Sequence, residues 1–217
     1  MIEAMIYALP FLGQGFLVTL AVSGLVVAGS LVLGLVLGTA LAFGPVWLGL
    51  PIRAFADTAR AIPLIVLIFT VYYGLPALGV NLSPFWAAVA ALTLFKTGHV
   101  IEIVRGAITS IAAGQMEAAK AIGLSFVDRL RYVIFPQAVR RFLPPWINSV
   151  TDSVKGSALV SLVGVVDLMM AIQQVIGRTY QPMPLYLLGA IIYIAVNASL
   201  SVTSRRLEAR FARVVAS

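Results

Sequence analysis

Between Glu3 and Arg53 the chain carries no charged side chain, and residues 13–43 form one long, predominantly apolar stretch. At 1.5 Å of rise per residue, a helix over that run is about 46 Å long, longer than the roughly 30 Å hydrocarbon core of a bilayer. The run has no place in a soluble domain. Across all 217 residues 61% are hydrophobic and 11% are charged, against about 25% charged in soluble domains. The excess apolar side chains would coat a soluble surface. A bilayer solvates them and obliges the backbone to pair within helices. Disorder, a coiled coil and an ordinary soluble enzyme are excluded. The chain reads as an all-α, polytopic transmembrane protein, one domain over residues 1–217.

No basic residue precedes Arg53, so residues 1–30 are not expected to be a secretory signal, which needs a basic beginning. Glu3 without Lys or Arg favours an outer N-terminus. Gly34 and Gly38 in the first span form a small-xxx-small pair that lets another helix approach closely. Gly44, Pro45, Gly49 and Pro51 read as a short breaker-rich turn. The second span is expected at 61–78, with Tyr72 and Tyr73 at the interface, and the third at 85–104. The fourth is expected at 143–170, followed by an outer segment at 173–184, and the fifth at 185–202. This layout gives about five spans, N-out and C-in. It leaves Lys96 and Lys155 inside spans and Arg178 outside. The other twelve of the fifteen Lys and Arg lie on the cytoplasmic side, as the positive-inside rule requires. The net charge of +7 is therefore a topology signal, not a nucleic-acid surface.

One polar stretch, 105–141, interrupts the apolar pattern. Gln115 to Ile122 are good helix formers, and Glu117 is placed in the first turn, where the helix dipole favours an anion. Gly123 offers a left-handed stop, and Ser125 with Asp128 a cap for a second helix. Pro136 is expected to interrupt that helix, and Pro144-Pro145 to set where the next span begins. The segment 114–136 thus reads as two short helices joined at a glycine and projecting into the cytoplasm. Small alanines beside Gln115, Glu117 and Lys120 suit the close approach of a partner, so a docking element is favoured over a solvated loop.

Glu117-Ala118-Ala119, Gly123, Val133 and Phe135-Pro136 resemble the EAA motif of ABC importer permeases, with Val133 for the usual Ile and Phe135 for the usual Leu. Arg60-Ala61-Ile62-Pro63-Leu64, Glu102 to Gly106, Gly114 to Ala119, Pro136-Gln137-Ala138, Leu143-Pro144, Asn148, Lys155 to Ser161 and Leu207-Glu208 are similar to the polar amino acid permeases of the histidine/glutamine type. The resemblance covers nearly the whole chain. It implies the type I importer permease fold in a bacterial inner membrane. It also implies that Gln115, Glu117, Ala118, Ala119 and Gly123 couple to a cytoplasmic ABC ATPase dimer. A periplasmic solute-binding protein would deliver an amino acid, and a second permease subunit, identical or homologous, would complete the pathway. The chain has no GxxxxGK[ST] loop, so ATP is expected on the partner and no cofactor on this chain.

Ionisable groups inside a bilayer are functional candidates. Lys96 and His99 share a helix face, as do Asn148, Asp152 and Lys155. Two polar faces suggest a water-filled substrate pathway, to which Ser157 in the Lys155 motif is added. Internal salt bridges are the competing explanation, and Glu102 with Arg105 is expected as such a pair. His99 and Lys96 stand where the family usually has Tyr and a small residue, and Gly156 where an acid is frequent. The pathway gains cations, which tilts the expected cargo toward an acidic or neutral amino acid. No catalytic set is present. One histidine and no cysteine exclude a multi-histidine or thiolate metal site. The alternative, a self-contained secondary amino acid carrier or channel, needs internal repeats that the chain lacks and leaves the EAA segment unexplained.

Overall fold

A computed structural model describes the backbone of residues 2–213 and the side chains of 9–203 and 206. The expectations resting on Glu3, Arg205, Leu207-Glu208, Arg210 and Arg213 lie outside the described side chains. Among the described residues there is no strand. The helices are α1 (Ile2–Phe43), α2 (Val46–Ala61), α3 (Leu64–Ala77), α4 (Pro84–Thr109) and α5 (Ala113–Ala121), then α6 (Phe126–Asp128), α7 (Phe135–Gly156), α8 (Leu168–Thr179) and α9 (Pro182–Arg213). A π-helical turn (Arg129–Ile134) leads into α7 and a 3-10 turn (Ser157–Val163) leaves it.

Residues within α1, α4 and α9 are each long and apolar enough to cross a membrane alone. The count reaches five if two bent pairs are each one span: α2 with α3, and 126–163 with α8. The central helix is α4, which packs on α1, α2, α3 and α7. Ser83 accepts from Trp86 N and Pro84 occupies the first turn, so these two residues start the helix.

The α1–α4 seam depends on the two glycines. A Cβ on Gly38 would lie 2.7 Å from Val104 Cβ and 2.9 Å from Ile101 O, whereas one on Gly24 would meet nothing within 4 Å. Backbone on α4 cannot yield, so Gly38→Ala forces the helices apart. We expect a loss of about 1–3 kcal/mol, measured as a lower unfolding temperature in detergent, with Gly24→Ala unchanged.

Four sequence expectations are corrected. The breaker-rich turn is confined to Gly44 and Pro45, between α1 and α2; Gly49 and Pro51 lie inside α2, because Ile52, Ala56 and Ala59 repeat at helical spacing and bury against α4, a stripe that outweighs the missing donor of Pro51. The second span, expected at 61–78, is the single helix α3, but it is short and does not continue straight from α2. At 14 residues α3 is only about 21 Å long, and it meets α2 at a 106° bend. Ile62, which precedes Pro63, is driven extended (ψ 129°) and ends α2 there. In the third correction, Pro136 and Pro144-Pro145 do not interrupt the chain: helix runs continuously from 126 to 156. The π turn lies just ahead of Pro136, the Gln137 side-chain amide donates to Val133 O (2.9 Å), and packing on α4 and α9 holds α7 through the later prolines.

Last, the expected fourth span breaks at Gly164 (φ +87°), and most of the expected outer segment is α8. Asp167 is the reason. It is fully buried, accepts from Met170 N (2.9 Å) and so caps α8, while Leu168 N donates to Thr19 Oγ1 on α1 (3.1 Å).

Candidate functional site

The polar stretch folds as an elbow below α4 and α7. The Ala112 backbone is extended (ψ 131°), and α5 begins at Ala113. Glu117 is therefore its fifth residue, not a first-turn anion as expected, and the helix dipole does little for it. At the other end Gly123 adopts φ +82°. Gly123 N donates to Lys120 O (3.0 Å) and Leu124 N to Ala119 O (3.1 Å). This bond pair is a Schellman closure, which demands a left-handed residue where only glycine is unstrained. Ser125 Oγ then accepts from Asp128 N (3.2 Å) and donates to Asp128 Oδ2 (2.5 Å), starting α6.

The elbow has a seated side and a free side. Ala119 is buried, and Met116 packs on a base of Ile111, Ile134, Ala138 and Phe43. Phe126 meets Phe43 edge to face at 5.9 Å, and the Arg141 guanidinium donates to Ser110 O. Gln115, Glu117, Ala118, Lys120 and Gly123 are exposed. So are Ile122 (77%) and Val127 (68%), apolar side chains with no cover in this chain.

The second feature is a cleft of about 570 Å³ between the α2–α3 bend, α4 and α7. Its walls include Lys96, His99, Asn148 and Asp152, the two sequence faces, together with Glu102. His99 Nδ1 lies 3.0 Å from Phe95 O. A carbonyl only accepts, so Nδ1 carries a proton, which leaves Nε2 as the ring nitrogen free to face the cleft. Glu102 accepts from Arg105 Nε (3.0 Å) and Nη2 (2.7 Å), the ion pair expected of them. Lys155 is not in this wall. It pairs with Asp152 at 3.5 Å and lines a separate cavity of about 290 Å³ with Met169, Tyr186 and Tyr193. Ser157 is a correction: it is fully buried and donates to Val154 O (2.8 Å), so it reaches no pathway. The 3-10 turn that begins there rotates it into the core.

Sequence reasoning missed Arg60 as a cleft residue and placed it near the cytoplasmic face. It stands in the wall with Lys96, about 20 Å of helix above the Thr109 end of α4. The signal was available in the Ile62-Pro63 break, which swings the end of α2 in toward α4. Gly98 takes part, with Ala56 O only 3.1 Å from where its Cβ would lie.

Comparison with known proteins follows the same lines. Residues 30–213 match the family described as binding-protein-dependent transport system inner membrane component. The chain is 37% identical over 205 residues to the probable glutamine ABC transporter permease protein GlnP of Bacillus subtilis, covering 93% of this chain and 94% of that one. It is 36% identical over 206 residues to the glutamine transport system permease protein GlnP of Escherichia coli K12, covering 94% of each. A crystal structure of an amino acid ABC transporter with histidines superposes with a TM-score of 0.90 at 30% identity, over 96% of this chain and 97% of that chain. A MetNI methionine ABC transporter structure, at 20% identity and TM-score 0.79 over 93% and 96%, shares the fold. With matching sequence over most of its length, the chain belongs to the family of inner membrane components of binding-protein-dependent transport systems.

Proposed function

We propose that this chain is the pore-forming permease subunit of an ATP-driven ABC importer in a bacterial inner membrane. Its cargo is a polar, acidic or neutral amino acid, delivered by a periplasmic solute-binding protein. The observation that carries this reading is the elbow, rigidly closed at Gly123, seated on the spans through Met116 and Ala119, and free on its outer side. A rigid element with an uncovered apolar and charged face, joined directly to two membrane helices, passes motion from a soluble partner to the spans. That partner is a cytoplasmic ABC ATPase dimer, which binds the ATP. A second permease subunit, identical or homologous, completes the path, and lipid covers the exposed apolar faces of α1 and α9.

The cleft supports the cargo assignment. It lies within the spans and gathers polar donors and acceptors from two facing helices among apolar side chains. Glutamine and arginine permeases among the relatives support an amino acid. The test is reconstitution in proteoliposomes with the ATPase and binding protein. Uptake is expected only with ATP inside and all components present. Uptake driven by an ion gradient without the ATPase would instead identify a self-contained carrier.

A further inference from the structure

Of the four charged side chains that line the cleft, Arg60, Lys96, Glu102 and Asp152, only Lys96 lacks an ion-pair partner among the described residues. Arg60 pairs with Asp57 at 2.5 Å, Glu102 with Arg105 at 2.7 Å and Asp152 with Lys155 at 3.5 Å. Each pair sums to zero, and His99, whose Nδ1–H donates to Phe95 O, contributes no negative charge. Lys96 is left. It is 6% exposed and forms no ion pair or hydrogen bond among the described residues, and its Nζ stands 6.0 Å from the Phe95 ring centroid. A buried ammonium without a counter-ion is costly, and the cost is relieved by an anion that reaches it.

Charge matching then sorts the amino acids. With its ammonium and two carboxylates an acidic amino acid carries one net negative charge and neutralises the cleft. A zwitterion such as glutamine leaves Lys96 uncompensated, and arginine or lysine doubles the excess. We infer that Lys96 is a specificity-determining residue that receives the side-chain carboxylate of an acidic amino acid, so that the pore itself prefers glutamate or aspartate. The inference rests on the reading of the cleft as the cargo path. Asp152, in the facing wall and 61% exposed on its side chain, is the acceptor for the cargo ammonium.

The experiment measures binding of labelled L-glutamate, L-glutamine and L-arginine to the permease–ATPase complex in lipid nanodiscs. Omitting the binding protein exposes the pore's own preference. Glutamate is expected to bind at least about tenfold tighter than the other two. Lys96→Gln is expected to weaken glutamate about thirtyfold or more and to leave glutamine within about twofold. Lys96→Arg, which keeps the charge, retains the preference for glutamate. Both variants must elute as intact complexes with the ATPase. If glutamine or arginine binds as tightly as glutamate, or if Lys96→Gln weakens all three alike, the inference fails and the importer reading stands. If no amino acid binds saturably, the cleft is not the cargo path and the inference falls with it, while the importer reading, which the elbow carries, stands.

Discussion

Gly123→Leu is expected to lower ATP-driven uptake by about tenfold or more while membrane insertion and ATP turnover persist. The residue sits at φ +82°, and a Cβ added there would meet nothing within 4 Å. The penalty is backbone strain of about 1–2 kcal/mol for a side chain in the left-handed region. The chain relieves it by abandoning the paired bonds from Gly123 N and Leu124 N. The elbow then loses its fixed angle, and ATPase movement is no longer transmitted to α4 and α7. The site is exposed, so the spans fold as before. Uptake and hydrolysis measured together in proteoliposomes separate this outcome from simple misfolding: hydrolysis continues and transport does not. Gly123→Ala, with a smaller side chain at the same φ, is expected to fall in the same direction.

Glu117→Lys is the second large effect. Glu117 is exposed on the free side of α5, and no ion pair holds it among the described residues. Its fifth position in the helix leaves the dipole little claim on it, so the substitution costs this chain almost nothing by itself. A partner surface built to receive a carboxylate meets a like charge instead, a mismatch of several kcal/mol. The ATPase is expected to be lost from the detergent-solubilised complex, with permease abundance in the membrane fraction unchanged. Retention of the ATPase and normal uptake in Glu117→Lys would remove Glu117 from the coupling surface.

What the sequence disclosed and what it withheld follow from the range of the interactions involved. The apolar runs of α1, α4 and α9 are set by the solvent and need no tertiary knowledge, and they were legible. The elbow was legible because glycine stops and serine caps are local chemistry. Proline was the main source of error. Pro51, Pro136, Pro144 and Pro145 each read as a break, yet all four lie inside helices, whereas Pro63 follows the end of one because Ile62 ahead of it is driven extended. The others survive on packing and side-chain donors that no local window contains. Asp167 read as a charge within a span and is instead the cap of α8, docked beside Thr19 from 148 residues earlier. In the cleft, helical spacing placed Lys96 beside His99 and Asn148 beside Asp152. It could not place Arg60, which arrives through a bend, or exclude Ser157, which a change to 3-10 winding turns inward.

The central claim is that the elbow at 113–128 faces the cytoplasm and is covered by an ATPase. The chain has no cysteine, so Gln115→Cys provides a single thiol on the free side of α5. A membrane-impermeant maleimide is expected to label it in inverted membrane vesicles and not in intact spheroplasts, with labelling reduced when the ATPase is present. Labelling in intact spheroplasts would put the elbow outside the cell and contradict the account.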